Sequence, residues 1–359
     1  MKLANFPGCS AASTGLAYTE SFGYVARRVG IELVTVPDWN CCGASAGRLQ
    51  SHDLGDALPA RSLAASEEAF GDTPVLALCA GCYQNLRRAL VHARESEERR
   101  TEINRILQRD WKASAEVLNG IEPFLDESVE QQVKAQVKTP LTGLKVACYY
   151  GCALVRPLAL SHFDDEEQPT SMERVVALTG AEPVQWHFKT ECCGASHQVS
   201  VASAAKPLIE RIFDNAAANG AEAIATACPL CMLNLDMREA EVNKARLREG
   251  KAPYNIPVYY FTELLAASFG ATDTEIGLQR HFHPATETIA RAKARPPKQP
   301  ELTPEQEKEE RKRRALELAA QRKAEKAAAA HANGGAAGEG DAAPAPAPDA
   351  RPAEQEVDA

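Results

Sequence analysis

Nowhere does the chain run about eighteen apolar residues together, so no helix is expected to span a bilayer. The opening stretch, Met1-Lys2-Leu3-Ala4-Asn5-Phe6-Pro7, lacks the apolar run of a secretory signal. A soluble, cytoplasmic protein is the expectation. Positive charge is in deficit: 40 Lys and Arg against 49 Asp and Glu leave a formal net charge of −9, which argues against a nucleic-acid footprint. No glycine-rich dinucleotide fingerprint is present. Also missing is the ferredoxin signature, three closely spaced cysteines and a fourth before proline, so the chain does not read as a simple electron wire.

What the chain does have is cysteine, 11 in 359 residues. In a reducing compartment these point to metal or redox chemistry rather than to structural disulfides. Ten of the 11 fall into two sets of five. Between Cys9 and the adjacent pair Cys41-Cys42 lie 31 residues, and between that pair and Cys79-Ala80-Gly81-Cys82 lie 36. Likewise 39 residues lie between Cys152 and Cys192-Cys193, and 34 between that pair and Cys228-Pro229-Leu230-Cys231. Each adjacent pair continues Gly-Ala-Ser, and each C-x-x-C is followed three residues on by asparagine, Asn85 and Asn234. The chain is therefore a duplicated unit, and its length and 45% hydrophobic content suit two domains with a real core.

Period and punctuation suggest alternating strands and helices. Lys2 to Phe6 reads as a strand, Thr14 to Val29 as a helix stopped by Gly30, Ile31 to Val36 as a strand, and Gly55 to Phe70 as a helix. Val75 to Leu78 is a strand that delivers Cys79, with Cys82 opening another helix. Residues from about Glu97 to Lys138 are highly charged and read as an exposed helical excursion. The cycle restarts at Gly143 to Ala147 and runs through helices at Met172 to Thr179 and Val201 to Asn219. Strands at Ala223 to Ala227 and Ile256 to Phe261 follow, then a helix over Thr262 to Phe269. Such alternation implies α/β architecture with parallel sheets, whose ligands collect at the carboxyl ends of the strands. The expected division is residues 1–139, 140–285 and 286–359, the last a charged helix from Thr303 to about Ala330 followed by an Ala/Pro-rich disordered tail.

Four cysteines would satisfy one zinc or one ordinary iron–sulfur cube, and five is one too many for either. Zinc with a spare thiol and a larger cluster with a bridging cysteine both remain open. At this point the residues carry a resemblance. The paired repeats with Cys-Cys-Gly in the middle and C-x-x-C at the end resemble the B subunit of heterodisulfide reductase over roughly residues 1–285. Tyr149-Tyr150-Gly151-Cys152, Arg156-Pro157, the run Ile256 to Leu265 and Gly277-Leu278 with His281-Phe282 strengthen it.

The resemblance implies two similar α/β halves in pseudo-two-fold relation and two non-cubane [4Fe-4S] clusters. Cys9, Cys41, Cys42, Cys79 and Cys82 would hold the first, and Cys152, Cys192, Cys193, Cys228 and Cys231 the second. It further implies cleavage or formation of a disulfide between the clusters, by a protein active only with its partners, a flavin-containing and a ferredoxin-like [4Fe-4S] subunit. Two other readings stand against this one. They are an electron-transfer or anchoring subunit of a fumarate, succinate or lactate/glycolate-type dehydrogenase complex, and a structural protein with zinc in at least one repeat.

His187, Lys189 and His197 bracket the second pair and are candidates to donate a proton or to bond a cluster sulfur, as are Asn85 and Asn234. Each has a bland alternative as a capping or satisfied side chain. Gly43 and Gly194 suit a positive φ or a close approach of backbone to cluster, and Ser45 and Ser196 could cap or donate. Cys148 has no counterpart in the first repeat and is expected to be a buried core residue. His52 lies close to the position of Ser203 in the other repeat and has no histidine partner there.

Overall fold

The computed structural model describes residues 1–44, 46–197, 201–296 and 304–333, with backbone alone at 202, 304–307 and 326–333. Two units are distinct, Met1–Lys298 and Gln299–Ala359. Within the first, β1 (Lys2–Phe6), β2 (Glu32–Thr35), β3 (Val75–Ala77) and β4 (Val117–Asn119) form a parallel sheet in the order β2-β1-β3-β4. A second parallel sheet repeats the plan with β5 (Lys145–Tyr149), β6 (Glu182–Pro183), β7 (Ala223–Thr226) and β8 (Val258–Tyr260), in the order β6-β5-β7-β8.

In each sheet the chain leaves the first strand toward one edge and returns on its other side. The winding therefore reverses between β1 and β3, and between β5 and β7. Side chains and ligands find room in the crevice at such a reversal, because the connections diverge to opposite faces. The short strands β3 and β8 are wholly buried, as parallel strands covered on two faces must be.

The stretch from Glu97 to Lys138 departs from its expected character. Helices occupy Glu97–Leu107 and Glu127–Gln136, but between them lies β4, which completes the first sheet by pairing with β3. Trp111, Val117, Ile121, Phe124, Val129 and Val133 are buried, so this segment is part of the core rather than an exposed excursion. Its apolar residues are few and widely spaced among charges, and a three-residue strand is too short to show a period.

The halves share one core. Helix Leu16–Arg28 of the first lies on helix Phe261–Ser268 of the second, where Tyr18 stacks on Tyr260 with centroids 4.4 Å apart and planes 6° from parallel. Phe124 stands edge-on to Phe22 and to Phe261 at 5.6 Å each, and Ser21 Oγ meets Thr262 Oγ1 at 2.7 Å. The reciprocal contact sets helix Ser171–Ala177 of the second half on the turn Glu122–Leu125 of the first. Aromatic pairs of this kind add about 0.5–1.5 kcal/mol each beyond the area they bury.

The packed unit also runs past residue 285. Helix Thr286–Ala294 buries Ile289 and Ala292, and Arg295 Nη2 reaches Glu222 Oε1 at 2.5 Å. In the other unit, helix Pro304–Asn333 carries the pairs Arg314–Glu310 and Arg313–Glu317, one turn apart on a solvated face.

Candidate functional site: two sets of five cysteines

The carboxyl ends of the strands deliver the sulfurs. Cys9 follows β1 and Cys152 follows β5. Cys79 and Cys228 stand immediately beyond β3 and β7 at the N-caps of helices Ala80–Glu95 and Pro229–Arg248, with Cys82 and Cys231 in their first turns. Thiols in that position face amide N–H groups and the positive end of a helix dipole, which favour thiolate. The adjacent pairs sit on the loops after β2 and β6, and Gly43 and Gly194 behind them take the expected positive φ, +70° and +78°.

All ten sulfurs are drawn into two matching groups. Cys42 and Cys82 Sγ are 3.2 Å apart, and their counterparts Cys193 and Cys231 are 3.7 Å apart. Cys9 is within hydrogen-bonding reach of Cys41, and Cys152 of Cys192. Burial divides each adjacent pair, for Cys42 and Cys193 point inward while Cys41 and Cys192 face solvent. Proton sharing shows in the acidities. The Cys82 thiol bonds to Cys42 and lowers it to about 7, against the opposing effect of burial. A bond from Cys152 lowers Cys192 to about 6, helped by the Gly194 amide and by His197. The donors Cys82 and Cys152 are pushed up correspondingly.

The two groups touch across the halves. Cys79 and Cys228 lie close enough to share a proton, which holds Cys228 low and Cys79 high. Beside that junction two buried hydroxyls have no partner, Tyr18 Oη and Tyr260 Oη. Burial raises both tyrosines, and the charges of Cys79 and Cys228 add to it. An unsatisfied buried polar atom costs about 1–3 kcal/mol, so two of them beside Cys79 and Cys228 call for an explanation other than packing.

The residues fit an iron–sulfur group. Thiolates are the donors such clusters require, and the backbone leaves them space. A Cβ on Gly8 would stand 3.2 Å from Cys82 Sγ and one on Gly151 2.8 Å from Cys231 Sγ, so glycine at each position keeps the cradle open. Among the described residues, no three His, Cys, Asp or Glu side chains are drawn together as a ready site for a single ion.

The other expected residues divide. Asn85 Nδ2 donates to Cys42 O at 3.3 Å and faces Cys42 Sγ at 3.9 Å, while Asn234 Nδ2 donates to Cys193 O at 2.6 Å. Both asparagines thus steady the inner cysteine of a pair. His197 is exposed within electrostatic reach of Cys192. His187 is exposed, and its backbone N–H bonds to Asn215. Lys189 is turned inward: its ammonium, 1% exposed, pairs with Glu173 Oε1 at 2.6 Å and donates to Pro169 O at 2.9 Å. Extended backbone alternates its side chains, so a lysine near a cysteine pair can face the opposite way. Cys148 is buried within β5, as expected of a core cysteine. Ser196 is exposed, and Ser45 lies outside the described residues.

Sequence reasoning missed the tyrosines, whose partnership spans the halves. It also missed Arg88, one helical turn beyond Asn85, whose Nη1 donates to Asn85 Oδ1 at 2.5 Å. That spacing of three was a usable signal. A further symmetric pair went unread. Glu122 Oε2 accepts from Asn119 N at 2.6 Å and Glu263 Oε2 from Tyr260 N at 2.8 Å, each capping the turn after the fourth strand of its sheet.

Comparison with known proteins agrees with this duplication. The cysteine-rich domain family CCG matches twice, at residues 3–87 and 146–236. The chain is 31% identical over 288 residues to the membrane anchor subunit of 8-methylmenaquinol:fumarate reductase from Wolinella succinogenes, covering 79% of this chain and 98% of that one. It is 29% identical over 297 residues to the B subunit of the ferredoxin/F420H2-dependent CoB-CoM heterodisulfide reductase of Methanosarcina acetivorans, covering 81% and 96%. The B subunit of the ferredoxin:CoB-CoM heterodisulfide reductase of Methanosarcina mazei matches at the same identity. Among solved structures, a hypothetical protein from Helicobacter pylori shares the fold with a TM-score of 0.62 at 13% identity, over 80% of this chain and 52% of its own. This chain thus spans about half the length of that protein. Among the described residues no helix is long and apolar enough to cross a membrane.

Proposed function

The chain belongs to the family of the heterodisulfide reductase B subunit, built from two CCG cysteine-rich domains, and from that premise we propose that it is the iron–sulfur component on which a multi-subunit oxidoreductase cleaves or forms a disulfide. In this reading Cys9, Cys41, Cys42, Cys79 and Cys82 hold one non-cubane [4Fe-4S] cluster, and Cys152, Cys192, Cys193, Cys228 and Cys231 hold another. When bound, the clusters would supply electrons and sulfur-capturing iron. A flavin-containing and a ferredoxin-like partner would deliver those electrons.

The observation that carries this reading is the junction of the two sulfur groups, where Cys79 and Cys228 adjoin across the halves among unpartnered buried hydroxyls. The chain's own residues have definite tasks there. The helix starts at Ala80 and Pro229 favour the thiolate forms. Asn85 and Asn234 hold the inner cysteines of the pairs in place, and Tyr18 and Tyr260 stack on one another within electrostatic reach of Cys79 and Cys228.

Anaerobic purification with iron, sulfide and zinc determination tests the proposal. About eight irons per chain and no zinc are expected, with an EPR signal that responds to added thiol. Zinc at one or two per chain would overturn it. The match to the fumarate reductase anchor favours a second reading, an electron-passing or anchoring role. Turnover of a disulfide by the purified complex separates the two.

A further inference from the structure

The duplication is broken on one face of the first half. Helices Ala80–Glu95 and Pro229–Arg248 correspond through their C-x-x-C starts, and Asn85 and Asn234 do the same work on them. One turn further on they diverge, for the first has Arg88 where the second has Met237. Asn85 Oδ1 accepts from Arg88, whereas Asn234 Oδ1 has no partner. Arg88 is only 8% exposed, and its Nε is buried without a partner.

A cavity of about 380 Å³ opens onto this guanidinium. Arg48, His52 and Gln84 line it, together with Ala44 just beyond the first cysteine pair and Gly81 inside the C-x-x-C. No carboxylate is among its lining residues. Two acidic groups are in electrostatic reach of Arg88, Cys42 and Asp56, and Asp56 is already engaged by Arg99 Nη2 at 2.7 Å and His92 Nδ1 at 3.0 Å. Leu233 and Met237 stand in the second half where Gln84 and Arg88 stand in the first. A largely buried guanidinium that shares the cavity with a second arginine and no carboxylate favours an anion in the space between them.

We propose that this cavity binds an oxyanion, a carboxylate, sulfonate or phosphate, carried by the thiol or disulfide that reacts at the first cysteine set. Arg88 and Arg48 are its donors, with His52 and Gln84 at the rim. The assignment to a thiol rests on the function proposed above, whereas the anion site stands on the cavity alone. Guanidinium groups suit such ligands because their planar fork of N–H donors matches an oxyanion in two bonds at once. Arg88 also bonds to Asn85, which steadies Cys42, so an anion held there is linked to the first set and not to the second.

Calorimetric titration of the full-length chain, metal-free and iron-loaded, tests this with inorganic phosphate, mercaptoacetate and uncharged mercaptoethanol. Phosphate and mercaptoacetate should bind one to one, and mercaptoethanol about tenfold more weakly or not at all. Arg88→Met, which copies the second half, should weaken phosphate about tenfold, and Arg88→Lys should keep part of the binding. Arg48→Met, at an exposed position, tests the same site without touching the core. Phosphate affinity unchanged in both methionine variants, or no phosphate binding by the parent chain, would overturn the site. Phosphate binding that depends on Arg88 without any binding of mercaptoacetate would overturn its assignment to a thiol. A parent chain that binds phosphate but takes up no iron would sink the proposed function and leave the anion site standing.

Discussion

Gly8 and Gly151 occupy equivalent turns, with φ of +68° and +67°, yet they should respond unequally to the same substitution. Alanine at either position meets the left-handed backbone penalty of about 1–2 kcal/mol. The difference lies in what the new methyl touches. At residue 8 it would stand 3.2 Å from Cys82 Sγ, so the sulfur need retreat only about 0.2 Å to reach the 3.4 Å of ordinary contact. At residue 151 it would stand 2.8 Å from Cys231 Sγ, which must retreat about 0.6 Å. Cys231 is buried and has Cys193 Sγ 3.7 Å away, so it has little room to move.

Metal sites tolerate ligand displacements of about 0.2 Å, which puts the first substitution at the limit and the second well beyond it. If each cysteine set holds one cluster, as proposed, Gly151→Ala should lose one of them, with iron and sulfide per chain falling to about half, while Gly8→Ala stays near the parent value. Thermal unfolding of the metal-free variants should fall by similar amounts, since the backbone penalty is shared. Equal iron in the two variants, or a greater loss from Gly8→Ala, would refute the reasoning that these glycines act through sulfur position.

Lys189→Met strands Glu173 in the core and should destabilise the chain by about 3–5 kcal/mol in denaturant unfolding, while the molecules that fold keep the parent iron content. A change of less than about 1 kcal/mol would mean that the ion pair is not the inward anchor described here. Tyr260→Phe removes a buried hydroxyl without a partner and keeps the stack on Tyr18. Metal-free stability should hold or rise by about 1 kcal/mol, and a clear loss would show that the hydroxyl is bonded in solution. Burial lifts Glu122 to about 7 and Glu239 to about 8, so both fold most favourably when protonated. Stability of the metal-free chain should be fullest below about pH 4.5 in these terms and decline as pH rises through 7 to 8. Glu122→Gln should remove up to about 3 kcal/mol of that decline, and an unchanged slope in urea titrations at pH 5 and 8 would contradict it.

Much of the molecule was legible because its signals are local. Lys2–Phe6, the glycine stops and the C-x-x-C starts each announce an element within a few residues, and matched cysteine intervals revealed the repeat. What stayed hidden depends on partners far along the chain. β4 is a strand only because β3 lies beside it, and Lys189 faces inward only because Glu173 waits there. Tyr18 and Tyr260 are separated by most of the chain, and no period in either segment could have joined them.

The reciprocal packing of the halves has an evolutionary reading. Helix Leu16–Arg28 grips the segment after β8, as helix Ser171–Ala177 grips the turn after β4, which is the self-complementary contact of a symmetric homodimer. In such a dimer every substitution appears twice, so a basic residue favourable beside one centre would be forced upon the other. Joining the two copies in one polypeptide lifts that constraint, so arginine can stand at 88 while methionine stands at the matching position 237.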